Sequence, residues 1–250
     1  YYAGVNQFTG SSFTGSGVVA YERDAMLAGQ PARQVIFDLE TSNPNAFTPM
    51  PADIDGIFLP PTGMPGLFVT ADNPGELNLW HFDVDWDNTD NSSFTLANTL
   101  SVSAYSGAVC GFNRDCIEQP NEQNLDAIGG RMMFRLAYRN LGGSENKLIA
   151  NHTVIGSTSD NDIAGVRWYE IDIDDDGFQK TDTNGDLMPI NNGTFSLDDG
   201  NSRWMGSAAM DAVGNIGVGY SVSGNDLFPS IRFSGRSQSD AANILTVPEI

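Results

Sequence analysis

The sequence predicts an all-β protein made of short antiparallel strands. The clearest stretch is 203–236, in which three strand-like segments are separated by a tight turn at 211–215 and by a loop rich in Gly, Asn and Asp. From Ile216 to Val222, apolar residues alternate with Gly and Ser, which is the period of a β-strand. Small residues on one face of this strand would let another sheet approach closely. We therefore predict a three-stranded meander here.

The same unit occurs once more, earlier in the chain. Three ungapped alignments in the same order pair 131–137 with 203–209, 147–154 with 215–222, and 164–168 with 229–233. A repeat of several short antiparallel strands is typical of a β-propeller blade. The predicted fold is therefore a β-propeller of four-stranded antiparallel blades.

The chain divides into four such predicted blades. Their approximate bounds are 1–45, 50–103, 126–198 and 200–250. The first blade lacks an innermost strand, which would lie before Tyr1, and helix is expected only as one or two short turns near Asp24 to Leu27. Since a propeller more often has further blades, we expect the chain to be part of a larger ring and a fragment of a longer exported protein.

The charge balance limits the partners. The chain has 12 Lys and Arg against 32 Asp and Glu, a formal charge of −20. Nucleic acids and anionic membranes both require basic patches, so neither is an expected partner. No run of about 18 apolar residues is present, so no transmembrane helix is predicted. The acidic surface suits a salty or calcium-containing medium, or it simply keeps the protein soluble.

The two cysteines, Cys110 and Cys116, enclose a short loop rich in Gly and Asn. Such a pair favours a local disulfide, formed in an oxidising compartment. The alternatives are a pair of free thiols or half of a metal site. The metal site is disfavoured because neither His81 nor His152 has ligand spacing to the cysteines.

An acidic insert at 172–186 resembles the first half of a calcium-binding loop. Aspartates at alternating positions with a Gly after them bring carboxylates together around a sharp turn. The candidate ligands are Asp172, Asp174, Asp176, Asp182 and Asp186. The second half of the motif is incomplete, since Thr183 stands where a bidentate Glu is usual. The insert is either a calcium site or a solvated acidic hairpin.

Arg131 and Arg203 begin the innermost strands of adjacent predicted blades, near the central axis. Guanidinium groups gathered at such a place can bind a ligand carboxylate in a bidentate manner. The alternative is a structural brace, because Asp126 precedes Arg131 by the same interval as Asp198 precedes Arg203. The sequence favours the brace, since paired charges are usually structural.

Several stretches carry a resemblance to a known family. They are YYAGVNQF, YERDAMLAGQPA, MPADIDG, LWHFDVDW, DAIGGRMMFRLAYRN, KLIANHTV, GVRWYEI, NSRWMGSAAMDAVGNIGVGYSVS and PSIRFSGR. Together they resemble a family of secreted bacterial β-propeller proteins with blades similar to those of sialidases. The resemblance implies a propeller fold and a secreted or cell-surface location, and it implies no established catalytic function. The acidic insert departs from the family pattern, which has a short connection there.

The expected function is that of an extracellular, non-enzymatic propeller, used for recognition or as a structural module. Its expected partners are other blades or domains of the same exported protein, and a glycan or protein ligand. The alternative is a sialidase-like or other glycoside hydrolase acting at the axial face, which needs two suitably spaced carboxylates. Converging arginines with free carboxylates would favour the hydrolase, whereas arginines held by aspartates would favour the module.

Overall fold

The computed structural model describes residues 1–120, 123–156 and 163–250, and it is all-β, with 49% strand and 5% helix. The described strands are β1 Tyr2–Thr9, β2 Ser12–Tyr21, β3 Gln34–Asp38, β4 Met50–Asp55, β5 Gly66–Asn73, β6 Glu76–Asp83, β7 Ser93–Ser101, β8 Leu136–Asn140, β9 Asn146–Ile155, β10 Ala164–Ile173, β11 Asn191–Phe195, β12 Ser202–Met210, β13 Ile216–Gly224 and β14 Leu227–Arg236. The α-helix α1, Arg23–Leu27, lies where a helical turn is predicted, and 3-10 turns occur at Thr89–Asn91 and Val109–Phe112.

The strands form three hydrogen-bonded sheets. The N-terminal sheet has the order β1-β2-β3, the central sheet β11-β10-β9-β8-β4-β5-β6-β7, and the C-terminal sheet β12-β13-β14. The all-β class is therefore confirmed, but the expected four separate sheets are not observed. The reason is that β4 and β8 run parallel and pair from Ala52–Leu136 to Asp55–Arg139, which joins the second and third predicted units into one sheet.

Both aligned segments have the same strand register. In the central sheet Asn151 pairs with Trp168, and in the C-terminal sheet Gly219 pairs with Phe233. These two pairs occupy matching places in the ungapped alignment. The first strand differs, because β8 begins only at Leu136 and the preceding residues make a single bridge, Met132 to His152.

The apolar core lies between successive groups of strands. One cluster joins the N-terminal sheet to β5 and β6 through residues such as Val18 and Phe82. A second cluster joins the two halves of the central sheet. A third joins β8–β10 to the C-terminal sheet, with Trp168 and Tyr220 among its members. The order in the chain is thus also the order of packing, and the first and last sheets each have one face outside these clusters.

The end of the chain adds to the C-terminal sheet. Val247 bridges Gly235, and the backbones of Ile250 and Phe233 exchange two hydrogen bonds of 3.0 Å. Residues near 245–250 therefore run along the outer edge of β14.

The structure joins Cys110 and Cys116 by a disulfide, with their Cα atoms 6.0 Å apart. Cys110 is buried in a small cluster with Val109, Ile117 and Trp204. The bond closes the loop between β7 and β8 on itself, and the cluster that Cys110 shares with Trp204 packs this loop against the C-terminal sheet.

Reducing this disulfide should lower the free energy of unfolding by about 2 to 3 kcal/mol, because the closed loop is short and little chain entropy is removed from the unfolded state. Urea denaturation with and without reductant measures the difference. The variant with both cysteines replaced by serine is the control and should match the reduced protein. A complete loss of the fold on reduction would contradict this limited role.

Candidate functional site

Arg203 lies at the start of β12 and is fully buried. Its Nη2 is 2.8 Å from Asp199 Oδ2, and its Nε is 2.7 Å from Glu249 Oε1. Glu249 also accepts hydrogen bonds from Arg232 and, at 3.1 Å, from the Tyr220 hydroxyl. Arg203 is therefore braced by carboxylates, but by Asp199 and Glu249 rather than by the expected Asp198.

Arg131 has a different environment. Its guanidinium carbon lies 5.1 Å from the centre of the Phe47 ring, which is a cation–π distance. Asp126, its expected partner, instead pairs with Arg114 at 2.9 Å and accepts the Ile128 N–H. The described contacts therefore do not bring Arg131 and Arg203 to one site, and the proposed Asp126–Arg131 brace is wrong.

The acidic insert forms two hairpin turns. Asp174 Oδ1 accepts the backbone N–H groups of Asp176 and Phe178, and Asp182 Oδ1 accepts those of Asn184 and Asp186. In each turn the Asp is followed three residues later by a Gly with positive φ, Gly177 or Gly185, which only a residue without Cβ adopts readily.

The same device closes the turn between β12 and β13. Asp211 Oδ1 accepts the N–H groups of Val213 and Asn215, each at 2.9 Å, and Gly214 has positive φ. Burial would raise the pKa of Asp211, but the backbone hydrogen bonds hold it below its usual value. Among the described residues, Asp174, Asp182 and Asp211 thus each close a turn of the form Asp-x-x-Gly by accepting backbone N–H groups.

Replacing Asp211 by alanine should lower the free energy of unfolding by about 1 kcal/mol, because two hydrogen bonds to a charged acceptor are lost. The pKa of Asp211 is lower in the folded state than in the unfolded state. Its stabilisation is therefore fully present above the unfolded-state pKa and is lost as the pH falls through the folded-state pKa. Urea denaturation at pH 7 and at about pH 3 measures both effects. Asp24→Ala, at an exposed position on α1, is the control and should change little.

The five candidate calcium ligands are spread over different contacts. Asp172 pairs with Lys147, while Asp174 and Asp182 are each held by their own turn. In residues 1–120, 123–156 and 163–250, no three His, Cys, Asp or Glu side chains form a group that could hold a metal ion. As placed, the carboxylates do not fit a calcium site, because calcium needs six to eight converging oxygens.

Calcium binding by the insert stays a prediction, and melting curves in calcium and in chelator test it. A higher melting temperature in calcium, abolished by Asp174→Ala together with Asp176→Ala but not by Asp85→Ala, would support binding. Equal curves would identify the insert as a solvated acidic hairpin.

Both histidines are on strands, as expected. His81 Nε2 is 2.9 Å from the Gly177 carbonyl, so it attaches the acidic insert to β6. His152 Nε2 is 2.7 Å from the Tyr169 hydroxyl, and burial lowers the pKa of this imidazole to about 3. Neither histidine faces a described carboxylate at hydrogen-bond distance.

A concave surface of about 900 Å³ forms a groove between β1 and β4. Residues 1–4 form one wall, residues 50–54 form the other, and Arg23 and Phe134 complete the lining. This surface, here called the β1–β4 groove, is mostly apolar, because Tyr1, Met50, Ile54 and Phe134 contribute side chains to it. Ile54 and Phe134 are 50% and 72% exposed.

The groove narrows toward Asn6 and Gly4. The Asn6 side chain exchanges hydrogen bonds of 2.8 and 3.1 Å with Thr48. A Cβ on Gly4 would overlap the Pro49 carbonyl, so the backbones approach too closely there for any larger residue. From this closed end the two strands diverge toward Tyr1 and Ile54, where the groove opens.

The β1 wall presents an unpaired strand edge. Tyr1 exchanges hydrogen bonds of 2.9 and 2.7 Å with Tyr21. In an antiparallel pair, hydrogen-bonded residues alternate with residues whose N–H and C=O point away. The backbone groups of Tyr2 and Gly4 therefore point away from β2, and no described strand pairs with β1 on that side. At Gly4 the Pro49 backbone closes this side, so the accessible edge is at Tyr2.

The charged residues of the groove are paired. Asp53 Oδ2 is 2.7 Å from Arg135 Nη1, and Asp55 holds the same guanidinium. The hydrogen bonds that Arg135 donates to Asp55 and Asp53 raise the pKa of its guanidinium. Arg23 pairs with Asp24 and lies over the Tyr1 ring at 5.7 Å. The groove therefore combines an apolar lining, a free strand edge and charges that are already neutralised.

Comparison with protein-family models, with curated proteins and with solved structures finds no match to this chain. No helix of the described residues is long and apolar enough to cross a membrane. Fold and site together define an all-β protein with a disulfide and an open groove at a sheet edge. The resemblance to secreted bacterial propeller proteins stays a prediction.

Sequence reasoning missed the groove. The apolar character of Tyr1, Tyr2 and Phe134 is equally typical of ordinary strand residues, and no local pattern indicates that Ile54 faces them. The one signal was the three-stranded count of the first unit, from which an absent neighbour of β1 could be inferred.

Proposed function

We propose that this protein is an extracellular, non-enzymatic recognition module whose strand groups are arranged as propeller blades. It binds an extended segment of a protein ligand in the β1–β4 groove by strand addition. The observation that carries the proposal is the free edge of β1 at Tyr2, beside the open part of an apolar groove.

The blade arrangement is supported by three features. Successive strand groups pack in chain order, the same register recurs in β9–β10 and β13–β14, and β4 lies parallel to β8. Parallel first strands of neighbouring units are what a radial arrangement of meanders around an axis would produce. A ring of blades also reduces exposed sheet edges, and β1 keeps one such edge.

An extracellular location is supported by the disulfide, since such bonds persist in oxidising compartments. The low content of Lys and Arg, 12 residues against 32 acidic ones, agrees with an exposed, highly hydrated surface. The resemblance stated above implies the same location.

Strand addition suits the chemistry of the groove. An added strand gains affinity from main-chain hydrogen bonds and specificity from the sites that its alternate side chains occupy. Here Tyr2 supplies main-chain groups, while Ile54 and Phe134 supply apolar contacts. The lining offers few free polar side chains of the kind that would bind the hydroxyls of a glycan, so a protein ligand is favoured.

The hydrolase alternative has less support. A glycosidase needs two carboxyl groups flanking the bond that it cleaves. In the groove lining Asp53 is the one carboxylate, and it is held by Arg135. Arg203, which would grip a substrate carboxylate, is buried and already holds Asp199 and Glu249.

The test uses a synthetic hexapeptide of alternating valine and threonine, titrated into the 250-residue chain by calorimetry. We expect saturable binding, and we expect the peptide methylated on alternate backbone nitrogens to bind at least about tenfold more weakly, because it lacks the donors for the β1 edge. Amide hydrogen exchange should show new protection at Tyr2.

Matched variants locate the binding. Ile54→Asp and Phe134→Asp should each weaken binding, whereas Ile57→Asp, at an 88% exposed position outside the groove lining, should not. The proposal is overturned if no binding occurs, if both peptides bind equally, or if the groove variants bind as the wild type does.

A further inference from the structure

A second concave surface lies between β7 and β11, the two edge strands of the central sheet. Residues from 99 to 103 form one wall, residues from 187 to 192 form the other, and Gln179 and Asn243 complete the lining. Its volume is about 440 Å³, within the range of about 300 to 1,000 Å³ that is usual for small-molecule sites. Both walls of this surface, here called the β7–β11 cleft, come from the interior of the chain.

The β7–β11 cleft is uncharged, although the chain has 32 acidic and 12 basic residues. No Asp, Glu, Lys, Arg or His side chain lines it. Part of the lining is apolar, with Leu187 55% exposed and Ile190 almost completely buried. The rest carries hydroxyl or carboxamide groups, which both donate and accept hydrogen bonds. These residues are Thr99, Ser101, Ser103, Gln179, Asn192 and Asn243.

The backbone of β7 adds hydrogen-bonding groups to the cleft. The Val102 N–H donates to the Gly75 carbonyl at 2.9 Å, on the side of β6. Because residues of an antiparallel pair alternate in direction, the backbone groups of Thr99, Ser101 and Ser103 point to the other side, where no described strand pairs with β7. Ser103 confirms this direction, since its N–H donates to Asn192 Oδ1 at 3.3 Å across the cleft.

The polar groups of the cleft are fixed in place before any ligand binds. Arg167, which is 4% exposed, donates to the Ser103 carbonyl at 2.7 Å and to Asn192 Oδ1. With Oδ1 held by this cation, the Asn192 amide nitrogen donates to the Ile190 carbonyl at 2.8 Å. Asn243 Oδ1 accepts the Asn192 N–H at 3.0 Å. A site with pre-arranged partners loses less conformational entropy when it binds a ligand.

The free part of the β7 edge is short. At one end, Ser103 is already bonded to Asn192, and at the other the Gln179 N–H donates to Asn98 Oδ1 at 2.8 Å. Only the backbone groups of Thr99 and Ser101 lie between these two links. Such an edge is too short to pair with an added strand, which usually has about five residues, but it suits a compact ligand with several hydroxyl groups.

We infer that the β7–β11 cleft binds a neutral saccharide. A sugar ring presents hydroxyl groups at its edge and C–H groups on its faces, which match the polar and apolar parts of the lining. An acidic sugar is disfavoured, because Arg167 is buried and its Nη groups are already bonded. A cationic ligand would find no carboxylate in the lining. The inference does not depend on the β1–β4 groove.

Saturation-transfer NMR of the 250-residue chain tests the inference with four neutral disaccharides, namely maltose, cellobiose, lactose and diacetylchitobiose. We expect saturable transfer to at least one of them and none to glucuronic acid. Ser101→Ile should weaken this binding at least about tenfold, because it removes a hydroxyl and fills the cleft with a branched side chain. Thr95→Ile, at an exposed position of the same strand outside the lining, is the matched control and should bind as the wild type does. Melting curves check that both variants are folded.

The outcomes separate this inference from the proposed peptide binding. The alternating valine and threonine hexapeptide should bind Ser101→Ile as it binds the wild type, since Ser101 is outside the β1–β4 groove. Loss of peptide binding in Ser101→Ile would show that the cleft takes a strand, which would overturn the inference. So would an absence of transfer to all four disaccharides, equal binding of glucuronic acid, or equal effects of Ser101→Ile and Thr95→Ile.

Discussion

Replacing Arg203 by methionine should lower the free energy of unfolding by about 3 to 5 kcal/mol, which is the usual cost of removing one partner from a buried ion pair. Arg203 is fully buried and bonded to Asp199 and Glu249. Without it, Glu249 keeps Arg232 and Tyr220 but remains almost completely buried. Urea denaturation at pH 7 measures the change.

The pH dependence of this effect has a defined sign. The hydrogen bond from Arg203 holds the pKa of Asp199 well below its usual value. Burial alone would raise the pKa of Glu249, but its bonds to Arg203 and Arg232 keep it lowered. The stabilisation from such carboxylates is fully present above their pKa in the unfolded state, near 4, and it is lost as the pH falls through their lower pKa in the folded state. The difference in free energy of unfolding between wild type and Arg203→Met should therefore become smaller below about pH 4.

Arg232→Met is the matched control, because Arg232 binds the same carboxylate from a partly exposed position. Its effect should be clearly smaller than that of Arg203→Met. Equal effects of the two variants, or a gap that does not change with pH, would contradict the assigned role of Arg203.

Local patterns were sufficient to predict the strands but not how the sheets join. The alternation in 216–222 is a property of neighbouring residues, and β13 is found there. The pairing of β4 with β8 connects Ala52 to Leu136, far apart in the sequence, and β4 is short and partly polar. No periodicity in either strand indicates such a partner, so the merging of the second and third units was not predictable.

The same distinction explains the outcome for the charged residues. The repeated Asp198 predicts a carboxylate next to Arg203, but the neighbouring Asp199 binds it instead. The second partner, Glu249, lies 46 residues later in the sequence, and no local pattern indicates it. In the acidic insert, by contrast, a local pattern is present but fits two different structures. Asp174 and Asp182 have the spacing of calcium ligands, but the following Gly also defines a hairpin turn, in which the carboxylate is satisfied by backbone N–H groups.

A second large effect is expected at Glu170, in the middle of the contact between the central and C-terminal sheets. Its Oε1 is 2.9 Å from Lys147 Nζ, and its Oε2 is 3.0 Å from Arg236 Nη1 and 2.7 Å from Asn191 Nδ2. Both cationic side chains are at least nine-tenths buried. Glu170 thus links β9 and β11 of the central sheet to β14 of the C-terminal sheet through one carboxylate.

Glu170→Ala should therefore lower the free energy of unfolding by about 3 to 5 kcal/mol, because Arg236 then has no described carboxylate partner and Lys147 keeps only Asp172. Burial opposes the charged form of Lys147, but the hydrogen bonds that it donates to Asp172 and Glu170 raise its pKa above the usual value. Stability from a raised lysine pKa is present below the unfolded pKa, near 10.4, and is lost as the pH rises through the folded one. The difference in free energy of unfolding between wild type and Glu170→Ala should therefore become smaller above about pH 10.

Urea denaturation across this pH range measures both effects. Glu145→Ala is the control, because Glu145 forms an exposed pair with Lys180 and its removal should have little effect. A loss for Glu170→Ala no larger than that of the control would show that this carboxylate does not hold the two sheets together.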